Sequence, residues 1–456
     1  MTDRLRRWCR APAVIVLVAS ATAVGVAAAA PPVPDPTLLP PAANPSPPEA
    51  TELRVQCADL PDAVDGPRIP HAQQSLDFAS VWPVTRGAGQ VVAVIDTGVH
   101  PHPRLPIPVP GGDYVSTGDG TDDCDAHGTL VAGLIAARPT PGSGFAGGAP
   151  DVGLIAIRQS SGHFADRSRP DDEAARNASG YGDVRTLASA VRRAADLGAT
   201  VVNISEVACR TVAEGMSDGA LGAAVQYATD VHDAVVVAAA GNLDTCREGN
   251  PASVDPVDPG ADPWESVATL ASPAWYDDYV LTVGAVEDDG TPAEYSLPGP
   301  WVDVAAPGSA SVFLDPRSAG LADLIPGPES GRAVSGTSFA APLVAATVAL
   351  VRARYPHLTA REVMARVEST AHAPAEGWNP RVGHGVVDPL AAVTAPLPAE
   401  RAVPAPPVPV DEPAPPPVPD HRPRSIALIA AAAVIATTVL GLVLTTPARR
   451  LARSRG

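Results

Sequence analysis

Lysine is missing from this 456-residue chain, and every basic residue other than histidine is arginine. Acidic side chains outnumber basic ones, 50 to 32, for a formal charge of −18. A protein that grips nucleic acid needs a basic face for the phosphates, so that class of partner is excluded. Aromatics are scarce at 4%, which leaves alanine, valine and leucine to fill the core. Cysteine is sparse too: five residues, with no C-x-x-C spacing, so a zinc site is not expected. No internal repeat is present, which excludes a solenoid. The two Asp-bearing polar insertions, 158–183 and 243–272, scatter their carboxylates among proline and arginine without the spacing of a calcium loop. They read as solvated loops, and no metal or cofactor is expected.

Proline, by contrast, is abundant at 53 residues, and it is clustered. Residues 31–48 and 396–423 are dense in it, as expected of extended or semi-rigid polyproline segments. The chain opens with Arg4, Arg6, Arg7 and Arg10, then an apolar stretch from Ala11 to Val26, then small residues before Pro31. That is the layout of a secretory signal, or of an uncleaved anchor; either way the following residues cross the membrane. Ile426 to Leu444 is apolar, uncharged and long enough to span a bilayer, and Arg449, Arg450, Arg453 and Arg455 follow it. The expected organisation is therefore a signal peptide (1–30) and an N-terminal extension wrapping the main folded domain (31–84). That domain (85–395), a Pro-rich linker (396–424), a transmembrane helix (425–446) and a basic cytoplasmic tail (447–456) follow. The folded part faces outward on a single-pass anchor.

Between the Pro-rich segments, apolar runs of strand length alternate with helical patterns. Val91 to Ile95 reads as a strand buried on both faces, and Val152 to Ile157, Val201 to Ile204, Ala234 to Ala239 and Val280 to Val286 read as further strands. His127 to Ala137, Val184 to Leu197, Ala220 to Asp230, Phe339 to Arg354 and Thr359 to Ser369 read as helices. The alternation predicts an α/β fold: a doubly wound, mostly parallel sheet with helices on both faces. Sites in such sheets gather beyond the carboxyl ends of the strands.

Three residues stand where chemistry needs them. Asp96 follows the first buried strand directly, in D-T-G; His127 opens a helix, in H-G-T-L-V-A-G; Ser338 lies in G-T-S-F-A-A-P, at a turn feeding a helix. A serine becomes a nucleophile when a base takes its proton, and an aspartate can hold that base in the right tautomer. Asn242, in A-A-A-G-N after a strand, can offer its amide to an oxyanion, with the Ser338 backbone N–H as second donor. The chain order is Asp, His, Ser, unlike the Ser, Asp, His order of lipase-type hydrolases.

The segments VVAVIDTG, HGTLVAG, AAAGN and SGTSFAAP resemble, in order and spacing, the motifs of the subtilisin family. The resemblance runs from Val91 to about Val387. It implies a peptidase with Asp96, His127 and Ser338 as triad, and protein substrates. The wider layout of signal, Cys-bearing extension, catalytic domain, Pro-rich spacer and terminal membrane helix is similar to that of the mycosins, the subtilases of type VII secretion in actinobacteria. That similarity implies limited processing of secreted substrates, or a role in stabilising the type VII secretion membrane complex. One departure concerns the segment after Asn203-Ile-Ser, where the family usually carries glycine and this chain has Glu206, Val207, Ala208 and Cys209. These should narrow the cleft. Glu206 either favours a basic or polar substrate group or points to solvent. His71, His100, His102, His163, His232, His357, His372, His384 and His421 read as structural or surface residues.

Cys9 lies in the leading segment, and four cysteines remain. We expect Cys57 to pair with Cys124, and Cys209 with Cys246, because the latter two follow neighbouring strand ends. The first pair would tether the extension beside His127 and keep it in place rather than let it act as an expelled inhibitor.

Overall fold

The computed structural model describes residues 29–168, 180–246, 248–254, 257–258, 260–310, 312–323, 334–397 and 427–441. Contacts divide the chain into two units, 1–397 and 398–456.

The first unit is built on a seven-stranded sheet. Its strands run, edge to edge, Val304–Pro307, Val280–Val286, Val235–Ala239, Val201–Ile204, Val91–Asp96, Gly153–Arg158 and Val109–Asp113. All six pairings are parallel. The apolar runs are continuous because the five strands from Val280–Val286 to Gly153–Arg158 each feed two cores. Successive side chains point to opposite faces, so Val92, Val94, Leu154, Ala156, Val235 and Val237 enter one cluster. Their neighbours Ala93, Ile95, Ile155, Ile157, Val236 and Ala238 enter the other.

Helices cover both faces. The helix Thr337–Arg354 is apolar on every side and buried from Thr337 to Val351 apart from Ser338, as a helix through the middle of a core must be. His127–Ala136 packs on the same face. The helix Val184–Asp196 is amphipathic, and it covers the opposite face with Gly219–Gln226. Its start is set by a reciprocal cap between Asp183 and Thr186; Gly198, just past its end, takes the left-handed conformation (φ 81°).

The extension is threaded into this unit. Thr51–Leu53 pairs antiparallel with Phe164–Asp166, in the first polar insertion, and Asp62–Ala63 pairs with Leu321–Ala322. Two disulfides add covalent ties: Cys57 to Cys124, Cα separation 4.5 Å, and Cys209 to Cys246, 5.3 Å. The second staples the short antiparallel pair Ala208–Thr211 and Thr269–Ser272 to the segment after the Val235–Ala239 strand.

The expected signal segment lies outside the described residues except at 29–30, and the Pro-rich linker except at 396–397. Of the expected membrane helix, residues 427–441 are described, and they are helical. Among the described residues, no helix is long and apolar enough to cross a membrane.

Candidate active site

The carboxyl ends of three adjacent strands and the starts of two helices meet at one cleft. Asp96 ends the strand Val91–Asp96 with its side chain wholly buried. Its Oδ1 accepts from the Thr97 N–H (2.8 Å) and lies 2.7 Å from His127 Nδ1. That contact leaves His127 Nε2 facing the cleft, since Nδ1 is occupied.

His127 is aimed by a web of short side chains around its helix start. Gly128 N–H donates to Thr97 Oγ1 (2.9 Å), and Thr97 Oγ1 donates to Asp123 Oδ1 (2.8 Å). Asp123 Oδ2 accepts from Thr129 N–H (2.8 Å) and Thr129 Oγ1 (2.6 Å). Burial pushes the Asp123 carboxyl up to about 6, with the threonine hydrogen bonds working against that rise. Gly128 is obligatory here: a β-carbon would stand 2.0 Å from the Gly98 carbonyl oxygen. Ala126, just before His127, is held at φ 71°, a strained value for a residue with a β-carbon. The Cys57–Cys124 disulfide fastens this same loop, and Ala58 N–H donates to the Cys124 carbonyl (2.8 Å).

Ser338 is the second residue of the helix Thr337–Arg354, which starts two residues earlier than the Phe339 expected from the sequence. N–H groups at that position have no carbonyl partner within a helix, and the positive end of the helix points at the cleft. Pro342, four residues on, has no N–H to give to the Ser338 carbonyl. The Ser205 hydroxyl donates to that carbonyl instead (3.3 Å), and Asn203 Nδ2 donates to Ser205 Oγ (3.0 Å). A buried polar chain thus runs from the sheet to the backbone of Ser338.

Asn242 follows the strand Val235–Ala239. Its Oδ1 accepts from Thr337 N–H and from Thr337 Oγ1, both at 3.0 Å. With the carbonyl oxygen so engaged, the amide Nδ2 turns toward Ser338. Ser338 Oγ and Asn242 Nδ2 lie 3.1 and 3.6 Å from the point where a β-carbon on Gly336 would stand. Gly336, Ser338 Oγ and Asn242 Nδ2 therefore border one space.

His127, Ser205, Glu206, Val207, Asn242, Cys246 and Ser338 line a cavity of about 190 Å³. The structure thus brings His127, Ser338 and Asn242 to one cavity, with Asp96 behind His127. Glu206 belongs to the same wall, so the open question about its direction resolves to the cleft. Its Oε1 accepts from Ser160 Oγ (3.1 Å). Burial, then the Asp96 charge, raise its carboxyl above the ordinary range, while His127 works the other way. Burial pulls the His127 imidazole down, but Asp96, through charge and hydrogen bond, with Glu206 and Asp123 behind, prevails and pushes it up to about 9.

Among the described residues, the acidic and histidine side chains close enough to share a metal ion are Asp96, His127 and Glu206, with ligand atoms within 4.8 Å of one another. Sequence reasoning missed Asp123, Thr97, Thr129 and Ser160. Threonine three residues after Asp-Cys-Asp-Ala carries no periodic signal; only the fold brings these residues together.

Residues 87–385 match the subtilase family. Mycosin-4 of Mycobacterium tuberculosis is 49% identical over 100% of this chain and 98% of its own length. The crystal structure of MycP1 from Mycobacterium smegmatis superposes with a TM-score of 0.74 at 41% identity, covering 81% of this chain and 96% of the other. A chain in the intact ESX-5 inner membrane complex gives a TM-score of 0.75 at 42% identity, covering 90% and 99%. The chain is a serine peptidase of the subtilase family and, within it, belongs to the mycosins.

Proposed function

We propose that this protein is a membrane-anchored extracytoplasmic endopeptidase that performs limited processing of type VII secretion substrates, with Asp96, His127 and Ser338 as its triad. The observation that carries the reading is the convergence of the Asp96–His127 hydrogen bond, Ser338 and the Asn242 amide on one cleft. In this mechanism His127 Nε2 takes the Ser338 hydroxyl proton as Oγ attacks the scissile carbonyl carbon. The oxyanion settles against Asn242 Nδ2 and the Ser338 N–H. Imidazolium, held by Asp96, returns the proton to the leaving amine. Water then repeats the sequence and releases the acyl group.

The anchor is the apolar segment 425–446, with the basic tail inside the cell. A second role, bracing the type VII secretion membrane complex, is favoured by the likeness to a chain within the ESX-5 inner membrane complex. Ser338→Ala separates the two. A purely proteolytic role predicts loss of substrate processing and of every secretion phenotype. A bracing role predicts that secretion and complex integrity survive in Ser338→Ala and fail when the protein is deleted. Undiminished peptide cleavage by Ser338→Ala would refute the triad.

A further inference from the structure

We infer that Glu206 is a specificity-determining residue whose carboxylate receives a cationic substrate side chain, an arginine or lysine close to the scissile bond. The inference rests on the triad reading above and names the substrate class for that site.

Geometry comes first. Glu206 directly follows Ser205, whose hydroxyl touches the Ser338 carbonyl, so the wall that carries Glu206 is fixed relative to the nucleophile. It lines the same cavity of about 190 Å³ as His127, Asn242 and Ser338. Ser160 holds one carboxylate oxygen, which removes freedom without supplying charge. A carboxylate has about four acceptor positions, and a neutral hydroxyl fills one. The charged groups that act on Glu206 are Asp96 and Asp125, which are acidic, and His127. A substrate cation seated there therefore meets more acidic groups than basic ones, in a partly desolvated place where its charge is worth most.

A coupling follows. His127 faces Asp96, Glu206 and Asp123, and their combined charge favours the imidazolium, which cannot take a proton from Ser338. An arginine or lysine seated on Glu206 cancels one of those charges. The imidazole is then released into its working range as the right substrate arrives. A neutral side chain at the same place leaves all of those charges acting on His127. Recognition and activation of the base are thus one event.

The test uses full-length protein in detergent micelles and a mixed peptide library, with cleavage sites read by mass spectrometry. Labelling of Ser338 by an uncharged fluorophosphonate, run up to about pH 10 so that His127 is neutral without a substrate cation, and compared with Ser338→Ala, checks the triad independently of substrate charge. Wild type should enrich arginine and lysine over citrulline at one position near the cleaved bond by about tenfold, equivalent to ~1.4 kcal/mol. Glu206→Gln should lose the enrichment, and Glu206→Asp, which keeps the charge, should retain part of it. The low-pH limb of kcat/KM in Glu206→Gln should move to lower pH. Equal enrichment in wild type and Glu206→Gln, or none in wild type, overturns the inference. Absence of fluorophosphonate labelling in wild type would overturn the triad reading, and this inference with it.

Discussion

Replacing Asn242 separates two roles that one side chain combines. Its Oδ1 accepts two hydrogen bonds from Thr337, a residue 1% exposed, and its Nδ2 faces the space beside Ser338 Oγ. Asn242→Ala removes both. Two lost hydrogen bonds at about 1 kcal/mol each predict roughly 2 kcal/mol of lost stability. Loss of an oxyanion donor predicts a fall in kcat of roughly 10²- to 10³-fold, about 2.7–4 kcal/mol. Asn242→Asp keeps the acceptor that Thr337 needs but replaces the donor with negative charge. It should melt near the wild-type temperature and yet lose at least as much kcat. The assays are thermal melting and steady-state cleavage of one peptide by all three proteins, with kcat and KM resolved. If Asn242→Asp keeps kcat within about tenfold of wild type, the donor role is refuted.

Three further outcomes are expected. Catalysis needs the neutral imidazole, so kcat/KM should rise with pH up to about 9; a plateau reached already near 6.5 would show that the acidic surround does not act on His127. Because the folded state holds that proton more tightly than the unfolded chain, the associated stabilisation is complete below 6.5 and is lost as pH rises through about 9, a trend that urea melts across that window would record. Gly128→Ala drives a β-carbon against the Gly98 carbonyl and within 3.1 Å of Asp96 Cβ, and should destabilise by about 3 kcal/mol in the same melts. Cys57→Ser opens a loop of 67 residues' separation, with a stability loss on the order of 4 kcal/mol, and should lower kcat more than it raises KM because the loop before His127 loosens.

Five of the seven parallel strands were legible because each is buried on both faces, and an unbroken apolar run such as Val91 to Ile95 has no other easy home; Val109–Asp113, exposed at its start and holding two glycines, and Val304–Pro307 at the opposite edge were not. Asp96, His127, Asn242 and Ser338 were legible as a constellation because each stands at the end of a strand or the start of a helix. What stayed hidden depends on contacts distant in sequence. Thr51–Leu53 is too short to announce itself, and its partner strand lies more than a hundred residues away. The early start at Thr337 depends on Ser205, which takes over the carbonyl that Pro342 leaves unbonded. The direction of Glu206 depends on Ser160, at the end of another strand. Sequence periodicity carries none of these.

The bond between Cys57 and Cys124 also changes the thermodynamics of the N-terminal segment. A segment held by strand pairing alone competes with dilution once the chain is cut between it and the domain, and departs at low concentration. A covalent tether makes rebinding intramolecular, with an effective concentration on the order of millimolar that no dilution alters. Cutting the backbone near residues 66–70 would therefore leave the segment seated beside His127, and only reduction together with cleavage would let it diffuse away.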